Sequence, residues 1–494
     1  MNRDPNLPTP RLPTGLRVAV VGAGLGGLAT ALRLRHAGAH VILLEKNSQT
    51  GGKAGEYRAD GFRWDTGPSL LTMPHVIDEL FADLGLNRPA HLQFERVRPV
   101  CRYFWPDGTL LDENEELYAR PDVTAFLKYA SGIYDLVGDA FLNHPPDGLW
   151  RTLSPANWGN LHHLPKVATL QSLAKAVDAH FEDPHLRQLF QRFATYNGSS
   201  PYRTPATFNI ISHVESHFGA WYIRGGMARL AECLTQLAEK AGVELFRDHE
   251  VIRLSEEGLL CRNGRRVVAD VYVVNGDVIR AHRDWIRLPG HRRESQRLQS
   301  KELSLSGLVL FLGVKKRHAR LSHHNIFFSQ DYAAEFHQLF EEKKFPEDPT
   351  IYVNITSRSS PDDAPEGCDN YFVLVNAPAE IHRINWATEA PRHAARVIAK
   401  LESCGLTGLG RQIRHQHIFT PADFARRDLC LNGALYGWAS HGPLTSLLRP
   451  PLQSRLRPNL YFTGATTHPG GGIPLVLLSA RMVARSIIKK YGTE

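Results

Sequence analysis

The chain has 494 residues, 43% of them hydrophobic and 22% charged, a balance that permits sizeable buried cores and excludes a disordered chain. Its formal net charge of +8 attracts anionic lipid headgroups, nucleic acid or an acidic cofactor, without choosing among them. Six scattered cysteines (Cys101, Cys233, Cys261, Cys368, Cys404, Cys430) show no Cys-x-x-Cys spacing, which argues against a zinc knuckle, a redox dithiol or a disulfide framework and fits a reducing compartment.

Residues 1–15 are rich in proline and polar side chains and lack the apolar core of a signal peptide. Val18-Ala19-Val20-Val21 is a short apolar run suited to a buried parallel strand. Gly22-Ala23-Gly24-Leu25-Gly26-Gly27 follows at once, with glycines in G-x-G-x-x-G spacing. Leu25, Leu28, Ala29 and Leu32 then share one helix face, Gly38 stops the helix, and Val41–Leu44 form a second strand ending in Glu45. In such a unit Gly22 permits the tight turn, Gly24 lets the backbone approach a pyrophosphate, and Gly27 lets helix and strand pack closely. The helix N-terminus offers free N–H groups to phosphates, and Glu45, about 20 residues on, can accept hydrogen bonds from ribose hydroxyls. This segment alone does not separate FAD from NAD.

Thr50-Gly51-Gly52-Lys53-Ala54 comes next, with two glycines for close ligand approach and a lysine charge for phosphate or flavin. Gly61–Pro68 (GFRWDTGP) closes the segment. Further along, Ile223-Arg224-Gly225-Gly226-Met227 opens a helix through Leu230, Leu234 and Leu237, and Val271–Asn275 reads as a strand. Leu305–Val314, among the longest apolar stretches, suits a buried strand. No run of roughly 18 uncharged apolar residues occurs, so no spanning helix is expected and any membrane contact is peripheral. The stretch Trp150–His180, with Trp158, Lys166 and Lys175, has a helical pattern open to two readings, an amphipathic surface dipping into a bilayer or a plain helix pair. Near the end, Leu460–Gly464 reads as a strand, Ala465–Pro474 as a Gly-rich loop, and Leu475, Leu478, Ser479 and Met482 as one helix face, with Pro474 in the first helical turn. Two nucleotide-type elements about 440 residues apart argue for one extended ligand bridging them, and FAD is such a ligand.

The motifs together resemble the bacterial-type carotenoid (phytoene) desaturases over nearly the whole chain. Asn459–Pro474 (NLYFTGATTHPGGGIP) looks like the signature of those enzymes, and Phe62–Ser69 (FRWDTGPS) like their early motif. Arg192–Pro205 (RFATYNGSSPYRTP) and Ser479-Ala480-Arg481 are similar to the hydroxycarotenoid 3,4-desaturase-like branch. The resemblance implies an α/β fold: a Rossmann-like FAD-binding domain of the flavin amine oxidase type with an inserted α+β substrate domain. The expected partition is a discontinuous FAD domain over 16–85, 225–300 and 415–490, with a substrate and membrane-associating domain over 86–224 and 301–414. By resemblance, Gly22, Gly24, Gly26, Gly27, Glu45, Gly52, Lys53, Gly464, Gly471, Gly472, Ile473 and Pro474 hold FAD. Val251, in a strand expected over Val243–Leu254, contacts the adenine end. Lys53 departs from the arginine of many relatives, keeping the charge and losing planar bidentate contacts.

The implied activity is desaturation of a carotenoid or its precursor, with hydride transfer from an allylic C–H to flavin N5. A conjugated chain delocalises developing positive charge, so demand for a strong base is low, and the protein's tasks become alignment and exclusion of water. Glu215 and His468 are the polar catalytic candidates. The rival readings are a carotenoid isomerase, a terminal-methyl carotenoid oxygenase, an amine oxidase and a non-catalytic flavin or carotenoid carrier. The expected setting is cytoplasmic, peripheral at the inner face of the cytoplasmic membrane, with a long apolar polyene as substrate and oxygen or quinone as electron acceptor. His213-Val214-Glu215-Ser216-His217 lacks the zinc-protease order, and His415 and His417 alternate on a likely strand, so no metal site is expected. No Gly-x-Ser-x-Gly elbow occurs, and nucleic-acid binding would rest on net charge alone.

Overall fold

The computed structural model describes residues 11–145, 171–442 and 449–493. The central element is a five-stranded, wholly parallel sheet in the order Leu460–Thr463, Val271–Asn275, Arg17–Val21, His40–Leu44, Glu244–Phe246. Its strands read as unbroken apolar runs because both faces are covered. Val18, Val20, Val41, Leu43, Val271 and Val273 point into a core shared with the helices. Their neighbours Ala19, Ile42, Leu44, Tyr272 and Val274 point into a second core on the other face. On the first face, helix Leu25–His36 packs against both Ile473–Tyr491 and Ala228–Lys240, so the first and last helices of this unit lie side by side. A Cβ on Gly27 would sit 2.0 Å from the Gly22 carbonyl oxygen, so the helix can start this close to the strand only with glycine there.

The other face is covered by an antiparallel meander, Val251–Ser255, Gly258–Cys261 and Arg266–Val267. The single strand expected over Val243–Leu254 is therefore two. Glu244–Phe246 ends the parallel sheet, the chain turns through Asp248 at φ 59°, and Val251–Ser255 opens the meander.

A seven-stranded sheet stands beside this unit, in the order Ile413–Phe419, Ser306–Val314, Asp369–Ala377, Ile351–Asn354, His324–Phe327, Arg102–Phe104, Leu110–Asp112. Its pairings are antiparallel except that of Arg102–Phe104 with His324–Phe327. Ser306–Val314 is buried along its whole length, as its apolar sequence demands. Ile413–Phe419 forms one edge, carrying His415 and His417 beside Tyr57, so the chain leaves this sheet only after Phe419, past the expected boundary at 415. The hairpin Glu56–Ala59 and Phe62–Asp65 also leans on it, through Phe62 and Trp64 packed with Phe311.

Helices Pro121–Asn143, Leu173–Asp178, Pro184–Gln191 and Ile210–Phe218 gather around a further aromatic-rich core. Of the stretch expected to be helical over 150–180, the part up to residue 170 lies outside the described residues, and the remainder holds Leu173–Asp178. All six cysteines are free. Among the described residues no helix is long and apolar enough to cross a membrane.

Candidate functional site

A cavity of about 840 Å³ opens where the C-terminal ends of the parallel strands face the seven-stranded sheet. Parallel α/β sheets place ligands at this end because loops and helix N-termini converge there. Its floor is drawn from both ends of the sequence. Gly22, Gly24 and Gly26 line it from the first turn, and Gly464, Gly471 and Gly472 from the last.

Asn275, at the tip of the strand between them, ties the two together. Its side-chain amide donates to the Gly22 carbonyl at 3.2 Å. A Cβ on Gly24, Gly26 or Gly464 would lie within 2.9 Å of the same amide group. The three glycines therefore leave room for Asn275, and the open cavity lies beyond them. Sequence reading places Asn275 at a strand end and assigns it no part in the site; an amide-bearing residue at that end was the available signal.

Glu45 ends the second strand, buried, and its carboxylate is already held. One oxygen accepts from the Ala23 N–H at 2.7 Å and the other from the Asn47 N–H at 2.9 Å. Burial raises its pKa, while these bonds act the other way. The Thr50–Ala54 segment is drawn in by the Gly51 N–H, which donates to the Ala23 carbonyl at 2.8 Å. Gly51 and Gly52 sit at φ 103° and 58°, where glycine alone is unstrained. Lys53 is half-buried in the wall and donates from Nζ to the Leu435 carbonyl at 2.6 Å. Burial works against its charge, but Cys430, Asp428 and Asp277 outweigh it and turn its pKa upward. Val251 lines the far end beside Glu250 and Arg262.

Helix Ile473–Tyr491 begins in the cavity wall, with Ile473, Pro474 and Val476 exposed to it. Its first turn, Ile473 to Val476, lines the same space, and the first N–H groups of a helix have no intrahelical partner. Gly472, at φ 108°, has nothing within 4 Å of where a Cβ would be. The Thr66 hydroxyl is buried at the wall with no partner. Arg449 is buried at 5% exposure and, among the described residues, reaches the Tyr436 and Ala465 carbonyls and the Ser440 hydroxyl, at 3.3–3.4 Å. Burial alone lowers its pKa to about 10. A glycine floor, a helix N-terminus, an orphaned hydroxyl and a cation without a carboxylate among the described residues suit an extended anionic dinucleotide such as FAD.

Beyond this floor the cavity continues between apolar walls: Phe208, Ile211 and Val214 on one side, Tyr352, Phe372 and Leu374 of the seven-stranded sheet on the other. The Tyr352 hydroxyl is held by Ser69 and His324, each at 2.7 Å.

Of the two catalytic candidates, neither lines the cavity. Glu215 is 1% exposed and stands behind Arg192 and Tyr196, which do line it; its carboxylate accepts from both. His468 is also 1% exposed, with Nε2 bonded to the His144 carbonyl at 3.0 Å and its ring edge-on to Phe141. Burial lowers its pKa to about 4, so it is neutral and holds its loop.

A family described as flavin containing amine oxidoreductase matches residues 25–488. The 1-hydroxycarotenoid 3,4-desaturase of Flavobacterium sp. (strain P99-3) is 34% identical over 494 aligned positions, covering 95% of this chain and 98% of that protein. The 4,4'-diapolycopene oxygenase of Methylomonas sp is 35% identical over 490, covering 96% and 98%. Among solved structures, cyclohexylamine oxidase from Brevibacterium oxydans IH-35A superposes with a TM-score of 0.62 at 16% identity, covering 96% of this chain and 99% of that one, a likeness of fold.

Proposed function

This chain belongs to the flavin containing amine oxidoreductase family, and from that membership we propose that it is an FAD-dependent desaturase of a carotenoid or carotenoid precursor. The observation that carries the reading is the continuity of one cavity from a glycine floor built by both chain ends into an apolar chamber. Bound FAD supplies the acceptor for a hydride leaving an allylic carbon. Gly22, Gly24, Gly26, Gly27 and Gly52 let the backbone approach the cofactor, and Glu45 accepts from its ribose. Lys53, Gly464, Gly471, Gly472, Ile473 and Pro474 frame its flavin end, and Val251 its adenine end. Arg449 contributes a positive charge that no carboxylate among the described residues balances. The apolar walls align a long polyene and exclude water, which would otherwise capture the electron-poor carbon as the hydride leaves.

Glu215 acts on the reaction through Tyr196, and His468 keeps the Gly470–Gly472 loop in place. The substrate enters from a bilayer to which the basic protein docks peripherally, on the cytoplasmic face, and electrons pass on to oxygen or quinone. The second reading, oxidation of a terminal methyl group, is favoured by the oxygenase at 35% identity.

Pigment analysis of cells supplied with different carotenoid precursors separates the two. Desaturation lengthens the absorbing chromophore and removes two hydrogens, whereas oxygenation adds oxygen to the product mass. Purified protein that binds FAD but reduces it with no polyene would defeat both readings.

A further inference from the structure

Behind the wall of the apolar chamber lies a polar cluster gathered from four places in the chain. Arg192, 7% exposed, is its centre. Its Nη2 donates to the Tyr103 hydroxyl at 2.6 Å and to Glu215 at 3.1 Å, and stands 3.6 Å from Glu113. Tyr103 donates on to Glu113 at 2.5 Å, and Tyr118 donates to the other Glu113 oxygen at 2.9 Å. Tyr196 donates to the second oxygen of Glu215. Both carboxylates are 1–2% exposed. Of these six side chains only Arg192 and Tyr196 line the cavity, and Arg192 Nε is buried without a partner.

The charges do not balance if every group takes its ordinary state. Two carboxylates and one guanidinium leave one net negative charge out of water, a costly arrangement that a retained proton removes. We propose that Glu113 and Glu215 share a proton around Arg192, and that the Tyr196 hydroxyl is the group through which this pair exchanges protons with the cavity.

This rests on the desaturase reading, which requires a proton acceptor as well as a hydride acceptor. The substrate C–H bond breaks with its electron pair becoming the new C=C π bond. Its proton forms a new O–H bond at Tyr196 as the original Tyr196 proton passes to Glu215. The positive charge so delivered to the cluster balances the negative charge that the hydride carries to the cofactor side, so the chamber stays neutral overall. The proton returns to solvent after turnover. Glu113 and Glu215 touch no substrate and are positioning and proton-holding residues; Tyr196 is the catalytic one.

Burial, with Glu215 beside it, pushes the Glu113 carboxyl up to about 8. The groups facing the pair are Cys101 just before and Tyr103 within the strand Arg102–Phe104, Tyr118 on the following helical turn, and Arg192 and Tyr196 on the segment 192–197. His324 and Tyr352 of the seven-stranded sheet face Arg192 from beyond.

The test uses the FAD-loaded protein with Tyr196→Phe and Glu113→Gln. Infrared spectroscopy at neutral pH is expected to show a deuterium-sensitive protonated-carboxyl band that Glu113→Gln removes, whatever the substrate. In single-turnover flavin reduction by polyene, Tyr196→Phe is expected to slow the reaction roughly a hundredfold and abolish its solvent isotope effect, with FAD content unchanged. Glu113→Gln is expected to move the rising limb of the pH profile to lower pH. No carboxyl band in the parent protein, or Tyr196→Phe with full rate and isotope effect, would overturn the proposal. If the parent protein reduces with no polyene, the desaturase reading fails, and the infrared band still decides whether the pair holds a proton.

Discussion

Arg192 and Arg449 line the same cavity and are buried to nearly the same degree, at 7% and 5% exposure, yet their surroundings are opposite. Arg192 lies between two carboxylates, and although burial opposes its charge, Tyr103, Tyr196 and Glu215 outweigh it and drive its pKa up. Arg449 has no ion pair among the described residues, and burial alone drives it down. A buried cation with its own counter-charge belongs to the chain's internal electrostatics. One without is arranged for a charge that arrives with the ligand. The two arginines thus divide the cavity into an end completed by the protein and an end completed by its cofactor.

The contrast can be broken most forcefully at Arg192. Arg192→Met leaves Glu113 and Glu215 without their cation and is expected to cost about 3–5 kcal/mol of stability, read from denaturant unfolding. A loss under about 1 kcal/mol would mean that the carboxylates do not depend on it.

A pH series sharpens the comparison. An acid whose pKa is raised by folding binds its proton more tightly in the folded chain, so it favours folding at low pH and that contribution disappears as pH rises. For Glu113 the window runs from its ordinary 4.5 to about 8. The stability of the parent protein relative to Glu113→Gln should fall across that window and level off above it. Arg449, lowered only to about 10, is charged throughout, so Arg449→Met should show no relative slope there.

Arg449→Met itself is expected to weaken FAD binding about tenfold, about 1.4 kcal/mol, by equilibrium flavin fluorescence, without lowering the apoprotein's Tm. A fall in apoprotein Tm like that of Arg192→Met would erase the distinction. The smallest effect is Ser440→Ala. It removes a 3.4 Å contact to Arg449 and should change FAD affinity by no more than about 0.5 kcal/mol.

What the sequence made legible follows the range of the interactions involved. The first strand, glycine turn and helix, and the last strand, loop and helix, are written in local periodicity and glycine spacing, and each appears within a residue or two of its expected place. The cluster around Arg192 is not local. Tyr103 and Glu113, Arg192 and Tyr196, and Glu215 come from separate segments, and nothing in any one of them announces that two carboxylates will share one cation. In the sequence Glu215 is a lone acid between two histidines, and those histidines stack on each other at 5.0 Å and pack against Tyr134 and Phe218. The broken strand at 244–255 was hidden for a related reason. The turn at Asp248 is a left-handed residue that hydrophobic pattern does not register.

One consequence of the sheet order concerns how the protein is born. The strand Leu460–Thr463 and the helix after it supply one whole side of the cradle, and they are more than 400 residues downstream of Glu45. At a ribosomal pace of roughly 5–20 residues per second, the interval between the two is about 20–80 seconds. Through that interval one side of the cradle is missing, and Val271–Asn275, once formed, has an open edge where Leu460–Thr463 will pair. The complete cradle therefore exists only after Leu460–Tyr491 has been made and has paired.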